Sequence, residues 1–384
     1  MPSSPTGSPD PARPSLLTVA RAWGRIGVLG FGGPPAHIRM LRDEVVVRRR
    51  WVAAEDLEDA IAACALLPGP ASTQLAIWSG WRVRGPLGGL VGGLAFVLPG
   101  LVLVLALAAL FLSDPPRVVA GTAAGAGAAV AAVAVQAARD LVVPSRRRAV
   151  SRRRWSAYLV VGAVVGALAG GWVVLALVVC GAYELVRGRS GSSLLSALVL
   201  PTLPALTGTA AVVWVALKVG LLSYGGGFVI IPLMQHDAVE RHHWMTGGEF
   251  LNAVALGQIT PGPVVHTVAV VGYAAGGTSA ALLAAAVAFT PSFVMVLAGA
   301  GRFDALRRNA STQAFLLGAG PAVIGAIAGS AVPLALALGE RWQVVPLAGA
   351  TVLLLALRRS AVLVLLLAGA VGAVGASLGL PLPH

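Results

Sequence analysis

The stretch ALLPGPASTQL, Ala65 to Leu75, decides the fold, because its core returns 193 residues later as QITPGPVVHTV, Gln258 to Val268. A glycine pair precedes each copy at the same distance, in GVLGFGG at Gly27 to Gly33 and in GLLSYGG at Gly220 to Gly226. When Gly27–Pro70 is aligned without a gap to Gly220–Pro263, the two segments are identical at 13 of 44 positions. Chance would give about 7% for average amino-acid usage and somewhat more for this composition. The chain is therefore a duplication of one unit.

The composition excludes a water-soluble fold. Hydrophobic residues make up 57% of the 384 residues and charged residues 11%, with a mean hydropathy of +0.84, whereas soluble domains carry roughly 25% charged residues. Several apolar runs reach the ~20 residues that a membrane-spanning helix needs. They are Leu87–Leu112, Val118–Ala138, Leu159–Tyr183, Leu251–Ala275 and Ala280–Ala300. Because the chain lacks the short alternating segments of a β-barrel, these runs predict an all-α polytopic membrane protein.

The net charge of +13 would suggest a nucleic-acid partner in a soluble chain. Here the arginines sit in short loops between apolar runs, where they act as topology signals that face anionic lipid headgroups. The charge therefore predicts the lipid bilayer as a partner and no nucleic acid.

The sequence carries no motif for covalent or metal chemistry. Cys64 and Cys180 lie in apolar segments without a CxxC motif or a nearby histidine, so a disulfide or metal site is not expected. The chain also lacks a Walker lysine, an HExxH motif, a GxSxG motif and an intramembrane carboxylate suited to catalysis. We therefore predict no enzyme activity, no cofactor and no metal.

The order of segments predicts two transmembrane repeats. Residues 1–14 are rich in proline and serine and have no apolar core, which predicts a disordered tail and not a cleavable signal peptide. Repeat 1 covers 15–187 and repeat 2 covers 207–384. Residues 188–206 are punctuated by Gly, Ser and Pro, as expected of a linker.

The arginines of equivalent loops predict that the two repeats are inverted. In repeat 1 the loop near Pro144 holds a cluster of arginines, while the preceding loop holds only Arg117. In repeat 2 the loop that matches Arg117 holds Arg302, Arg307 and Arg308, while the loop that matches the cluster holds Arg341 alone. By the positive-inside rule, equivalent loops then lie on opposite sides of the membrane. Many secondary transporters have this arrangement.

Each Pro-Gly-Pro segment is predicted to be an interrupted helix, because proline lacks the N–H that continues a helix and restricts the residue before it. Arg48 to Arg50 before the first segment and Arg82 with Arg84 after it both indicate the cytoplasmic face. Leu57–Gly80 is therefore expected to enter and leave on one face, with a kinked ordinary span as the alternative. Broken backbone at depth requires surrounding protein or a water-filled cavity.

Helix N-termini at the two breaks predict an anion site, since the first amides of a helix have no helical partner and carry about half a positive charge. The predicted oxyanion ligands are Pro68, Gly69, Pro70, Ser72, Thr73 and Gln74 in repeat 1, and Gln258, Thr260, Pro261, Gly262, Pro263, His266 and Thr267 in repeat 2. Inverted repeats would bring the two breaks together near the membrane midplane. The alternative is that Pro-Gly-Pro only kinks the helices for packing.

Two cations and two glycine pairs complete the predicted site. Arg25 and Lys218 occupy equivalent apolar positions, where a charge costs several kcal/mol. Either they supply positive potential for an anion, or they reach a membrane interface. The pairs Gly32 with Gly33 and Gly225 with Gly226 allow close approach of the backbone, either to a ligand or to a neighbouring helix.

These motifs together resemble the chromate ion transporter family in its two-unit form. The matching stretches are FGGPPAHI (Phe31 to Ile38), LPGP (Leu67 to Pro70), YGGG (Tyr224 to Gly227) and TPGP (Thr260 to Pro263), with Trp51 and Trp244 between them. The resemblance covers nearly the whole chain. It departs from the family pattern at Tyr224, where phenylalanine is commoner, and at the additional Pro35.

The resemblance implies a multi-pass carrier of the cell inner membrane that exports chromate, with sulfate as the similar competitor, driven by the proton gradient or the membrane potential. We expect alternating access, in which one repeat rocks against the other around a dianion. Uptake of sulfate or another oxyanion with protons, and an anion channel, are the alternatives. The sequence is also compatible with a homodimer.

Overall fold

The computed structural model describes residues 14–65, 67–113, 115–187, 207–223, 228–299 and 309–383. These residues form helices and no strand. The α-helices are α1 Leu16–Leu29, α2 Pro34–Arg42, α3 Ala54–Cys64, α4 Ala71–Phe111, α5 Arg117–Ala128, α6 Val130–Arg148, α7 Arg152–Leu168, α8 Val173–Arg187, α9 Gly208–Leu222, α10 Ile230–Gln235, α11 Gly247–Ile259, α12 Thr267–Gly299, α13 Ala310–Leu336, α14 Val344–Thr351 and α15 Ala361–Ser377. The predicted linker 188–206, the predicted tail apart from Pro14, the pair Gly225 and Gly226, and the arginines Arg302, Arg307 and Arg308 lie outside the described residues.

Five helical stretches among the described residues are long and apolar enough to cross a membrane, which confirms the all-α polytopic prediction. They are Ala71–Phe111, Arg117–Arg148, Gly170–Arg187, Val264–Gly299 and Ala310–Leu336. Shorter apolar helices are Gly208–Leu222, Arg341–Ala356 and Ala361–Ser377. Large apolar side chains such as Leu98, Val102 and Leu366 are exposed on these helices, as expected of faces that contact lipid.

The two repeats share unusual backbone features at equivalent positions. A π-helical turn covers Asp43–Arg48 in repeat 1 and His236–Arg241 in repeat 2. Two residues further on, Arg50 has φ of +51° and His243 has φ of +52°. Because positive φ is uncommon for residues other than glycine, this recurrence supports duplication of one fold.

The longest helix, α4, is a hairpin and not a straight rod. Its backbone leaves helical geometry at Arg84 and at Gly85, where φ is +69°. A β-carbon built on Gly89 would lie 3.0 Å from the carbonyl oxygen of Ile77, although in a straight helix these residues would be about 18 Å apart. The two halves therefore run antiparallel. In α12 the same turn occurs at Gly277, with φ of +68°.

The first Pro-Gly-Pro segment enters and leaves on one face. Asp56 at the start of α3 and Arg82 at the end of the first half of α4 form an ion pair of 3.0 Å. The ends of this segment are thus side by side, and the Pro-Gly-Pro break lies between the two short helices, at the tip. The re-entrant prediction is confirmed for repeat 1.

The repeats are inverted, because equivalent helices run in opposite directions where they meet. A β-carbon on Gly89 of α4 would lie 2.8 Å from Leu297 of α12, and one on Gly93 would lie 2.6 Å from the ring of Phe293. Residue numbers therefore rise along α4 as they fall along α12, so these helices are antiparallel. Since α4 and α12 are equivalent in the two repeats, their antiparallel packing fits the opposite orientations that the arginines predict.

Each repeat ends in a helix that packs against the other repeat. In α13 of repeat 2, a β-carbon on Gly318 would collide with the carbonyl oxygen of Cys180 in α8. In α5 of repeat 1, one on Gly125 would collide with the carbonyl oxygen of Ala368 in α15. Small residues allow membrane helices to approach this closely. These contacts between the two repeats join them into one helical bundle.

Candidate functional site

The first break ends in a helix whose first amides have no helical partner. Gly69 has φ of +113°, a conformation that favours glycine, and α4 begins at Ala71. The amide of Gln74 donates to the carbonyl of Pro70 at 3.0 Å, so the amides of the three residues between them lie ahead of the helical hydrogen-bond pattern. Ser72 and Thr73 are buried in this first turn. The break therefore has the donor geometry of an anion site.

Buried polar atoms without a partner surround this break. They are Thr73 Oγ1, Gln74 Oε1 and Ser292 Oγ. The Nε2 of Gln74 donates to the carbonyl of Pro68 at 2.6 Å. A β-carbon on Gly69 would lie 2.7 Å from both Gln74 Nε2 and Ser292 Oγ. Because each unsatisfied buried group costs about 1–3 kcal/mol, this cluster, which we call the break-1 pocket, is a candidate site for a polar ligand.

A cavity of about 840 Å³ reaches the break-1 pocket. Four of the predicted ligands that the structure describes line it: Gly32, Gly33, Gly69 and Gln258. Gln258 belongs to repeat 2, so the cavity lies between the repeats. At roughly 30 Å³ per water, the cavity is far larger than a tetrahedral oxyanion. It is large enough to admit such an anion as far as Gly69, and we call it the vestibule.

The vestibule extends to the arginine-rich end of α6. Its wall along α6 includes Gln136, Asp140, Ser145 and Arg148, and Arg148 is exposed. Because this end carries the arginine cluster near Pro144, the positive-inside rule places it in the cytoplasm. The vestibule thus reaches the predicted cytoplasmic face.

The second break is closed in this structure. Thr260, Pro261, Gly262 and Pro263 are all buried, and the Gly262 amide donates to the carbonyl of Gly30 at 2.9 Å. A 3-10 turn, Val264–His266, follows it. Thr267 then begins α12 and donates through its Oγ1 to the carbonyl of Val264 at 2.8 Å.

Elements of repeat 1 pack over this second break. A β-carbon on Gly100 would collide with the carbonyl oxygen of Pro261 and lie 2.7 Å from Cε1 of His266. The ring of His37 makes an edge contact with Phe96, with 5.1 Å between ring centroids. The two breaks therefore differ, because Gly69 in the first break lines the vestibule, whereas Thr260 to Pro263 in the second break do not and only Gln258 beside them does.

The two predicted cations lie away from the vestibule. Arg25 is exposed on α1. Lys218 forms an ion pair with Asp237, whose side chain is 2% exposed. Its charge is therefore balanced by a buried carboxylate and is not free to attract a substrate. This pairing corrects the expectation that Lys218 supplies net positive potential.

Sequence reasoning missed two buried polar residues. Ser292 follows Pro291 in α12 at the place where Gly100 follows Pro99 in α4, so a third repeated proline could have indicated this position. His37 is fully buried, and its Nε2 lies 2.8 Å from the carbonyl of Gly30, to which it donates. No local pattern indicates that His37 faces the second break. Within the described ranges, no group of His, Cys, Asp or Glu is arranged to hold a metal ion.

Comparison with known proteins gives a consistent match along the chain. The family model described as "Chromate transporter" matches residues 17–185 and 210–373, which correspond to the two repeats. No solved structure gives a significant match.

Curated relatives match over most of their length. The chain is 33% identical to the chromate transport protein of Pseudomonas aeruginosa over 368 residues, covering 88% of this chain and 86% of that protein. It is 32% identical to the chromate transport protein of Cupriavidus metallidurans, covering 81% and 80%. It is 30% identical to the probable chromate transport protein of Synechococcus elongatus, covering 83% and 84%.

Proposed function

The chain belongs to the chromate transporter family, and from that premise we propose that it exports chromate across the cell inner membrane by alternating access. The tetrahedral dianion enters the vestibule from the cytoplasm and binds in the break-1 pocket. The observation that carries this proposal is the cluster of unpartnered buried polar atoms on Thr73, Gln74 and Ser292 around Gly69, a residue that lines the vestibule.

The break-1 pocket has suitable chemistry for such an anion. The amides at the start of α4 point towards Gly69, with the positive end of the helix dipole behind them. The hydroxyls of Thr73 and Ser292 are donors that rotate to suit an acceptor. Since these groups carry no net charge, the dianion is held by hydrogen bonds and not by an ion pair, so release costs less than from a buried cation.

Unequal cavities support alternation between two states. A vestibule of about 840 Å³ reaches the arginine-rich end of α6. A second cavity, lined by Gly170, Pro232, His236 and Pro333, measures only about 280 Å³. Gly170, which lines the second cavity, lies at the junction of α7 and α8. Ser360, which lines the vestibule, lies at the equivalent junction of repeat 2, between α14 and α15. In an inverted repeat, exchanging the conformations of the two halves would close the first cavity and open the second.

The driving force in this proposal is the membrane potential or the proton gradient. Outward movement of a negative charge is favoured by an inside-negative potential, by about 2.3 kcal/mol per charge per 100 mV. A dianion can therefore be exported without ATP. Proton-coupled uptake of sulfate would show the opposite dependence on potential.

The test is chromate transport in inverted membrane vesicles with an imposed potential. Wild type is expected to accumulate chromate when the vesicle interior is positive, with saturation and with competition by sulfate. Thr73→Val should reduce this transport, since it removes a hydroxyl of the break-1 pocket while preserving shape. Accumulation driven by the opposite potential would instead indicate uptake, and a current that never saturates would indicate a channel.

A further inference from the structure

His266 is a buried imidazole that the break-1 pocket does not use. Its side chain is fully buried, and neither ring nitrogen has a hydrogen-bond partner. The backbone of Val97 lies beside the ring without meeting hydrogen-bond geometry. The ring also makes an edge contact with Phe289, with 5.4 Å between centroids. Two unsatisfied nitrogens on one fully buried ring require an explanation.

The position of His266 relates it to the anion pocket of the other repeat. His266 lies three residues after Pro263, as Thr73 lies three residues after Pro70. Thr73 belongs to the break-1 pocket, which the vestibule reaches. Exchange of the two conformations would place His266 in the corresponding pocket at the second break, on the opposite side.

In the part of the chain that the structure describes, no counter-charge faces the ring in the closed break. The neighbouring elements contribute Phe96, the Val97 backbone and Gly100 from α4, the Gly30 carbonyl from α1 and Phe289 from α12. The titratable group that acts on it across elements is His37 of α2, another imidazole. No carboxylate in the described ranges acts on His266. An imidazolium in this pocket would therefore be an unpaired buried charge, which is costly.

We propose that His266 takes up a proton when an oxyanion binds at the second break. Water on the side to which the break opens supplies the proton, which bonds to a ring nitrogen, and the dianion supplies the missing counter-charge. The ring returns the proton to water when the anion leaves, so the empty break closes over a neutral imidazole. This inference rests on the proposed oxyanion transport. It means that a proton binds to His266 together with the substrate.

The coupling between anion binding and protonation of His266 can be measured, because each affects the other equally. If the anion favours protonation of His266, protonation favours the anion by the same factor. The bound dianion and imidazolium together carry one negative charge instead of two. Anion affinity should therefore rise as the pH falls through the range in which an imidazole titrates.

The matched variant is His266→Thr, which installs the residue that repeat 1 uses at the equivalent position. We would measure chromate binding to purified protein by calorimetry, in two buffers of equal pH and different ionisation enthalpy. The dependence of the heat on the buffer gives the number of protons taken up. Chromate itself titrates near neutral pH, but its own protons contribute equally to both proteins, so the difference between them isolates the histidine.

Wild type is expected to take up more protons per bound chromate than His266→Thr, by about one for each anion held at the second break, which the protein opens in part of its molecules when it alternates freely in detergent. His243→Asn, which changes an exposed histidine outside both cavities and keeps a residue type that tolerates its positive φ, should behave as wild type. His266→Asn, which retains a hydrogen-bonding side chain that does not titrate in this range, should match His266→Thr. Equal proton uptake by wild type and both His266 variants would overturn the inference while leaving oxyanion transport intact.

Two other results have distinct meanings. Absence of chromate binding by folded wild type would overturn the proposed function and the inference together. Failure of both His266 variants to fold would assign the ring a structural role and overturn the inference alone.

Discussion

Asp56 and Arg82 are joined by an ion pair of 3.0 Å that brings together the two ends of the first Pro-Gly-Pro segment. Both side chains are about half exposed, so the pair contributes little stability. Its importance is geometric, because it places the start of α3 and the turn of the α4 hairpin on one face. The Pro-Gly-Pro break consequently lies at the tip of the re-entrant segment, inside the protein. The proposed anion pocket requires this position.

Cross-linking tests this topology. In Asp56→Cys combined with Arg82→Cys, a short bis-maleimide should link the two cysteines efficiently, because their side chains meet in the native fold. Native Cys64 and Cys180 are both buried and should react slowly. Asp56→Cys combined with Arg117→Cys is the control, since Arg117 begins a helix in the opposite loop, and it should give no intramolecular link. Equal linking in both pairs would contradict the re-entrant segment.

Ser292→Ala should affect binding and stability in opposite directions. The hydroxyl has no partner in the empty pocket, so its removal should leave the free energy of unfolding unchanged or raise it by up to about 1 kcal/mol. Chromate affinity should fall about ten- to a hundredfold, because a hydrogen bond to a charged group contributes about 1.5–3 kcal/mol. Binding and thermal unfolding in detergent would measure the two effects.

Ser330→Ala is the matched control for Ser292→Ala. Ser330 is equally buried, but its hydroxyl donates to the carbonyl of Ile327 at 2.8 Å. Its loss should lower stability slightly and leave chromate affinity unchanged. If Ser292→Ala behaved in the same way, the hydroxyl would have no role in binding.

Gly69→Ala should abolish most transport. The added methyl group would lie 2.7 Å from Gln74 Nε2 and Ser292 Oγ, within the space assigned to the anion. The positive φ would also cost about 1–3 kcal/mol. Gly349→Ala, at an exposed helical glycine with open space around it, should preserve transport. Chromate efflux from cells that produce equal amounts of each protein would measure the difference, and normal efflux by Gly69→Ala would place the anion elsewhere.

Lys218→Met should reduce stability more than chromate affinity. It leaves the buried carboxylate of Asp237 without its partner, which typically costs about 3–5 kcal/mol. Adding Asp237→Leu should recover much of this loss, since two apolar side chains replace the pair. Thermal unfolding of both variants would measure the recovery. A large loss of affinity without destabilisation would instead support a substrate role for Lys218.

The sequence predicts the repeats, the breaks and their topology because each leaves a local signal. Duplicated Pro-Gly-Pro segments indicate interrupted helices, and the arginines indicate which loops share a face. Side-chain partners across helices leave no such signal. Asp237 is 19 residues from Lys218 and approaches it only when α9 packs beside the π-helical turn. Arg25 and Lys218 occupy equivalent positions in the sequence, yet one is exposed and the other is paired.

The difference between the two breaks also depends on tertiary packing. Equivalent motifs predict equivalent pockets, and the sequence gives no reason for one to be open and the other closed. In the fold, the Gly30 carbonyl accepts from Gly262 and from His37, and Gly100 packs on His266. A transporter that alternates between two states must have two such unequal halves at any one time.

The most direct test of the central claim is a crystal structure with chromate, in which anomalous scattering locates the chromium. The account predicts one strong peak in the break-1 pocket, within hydrogen-bond reach of the amides of Ser72 and Thr73 and the hydroxyl of Ser292. A peak at Arg25 or elsewhere on the protein surface, with the break-1 pocket empty at saturating chromate, would contradict it.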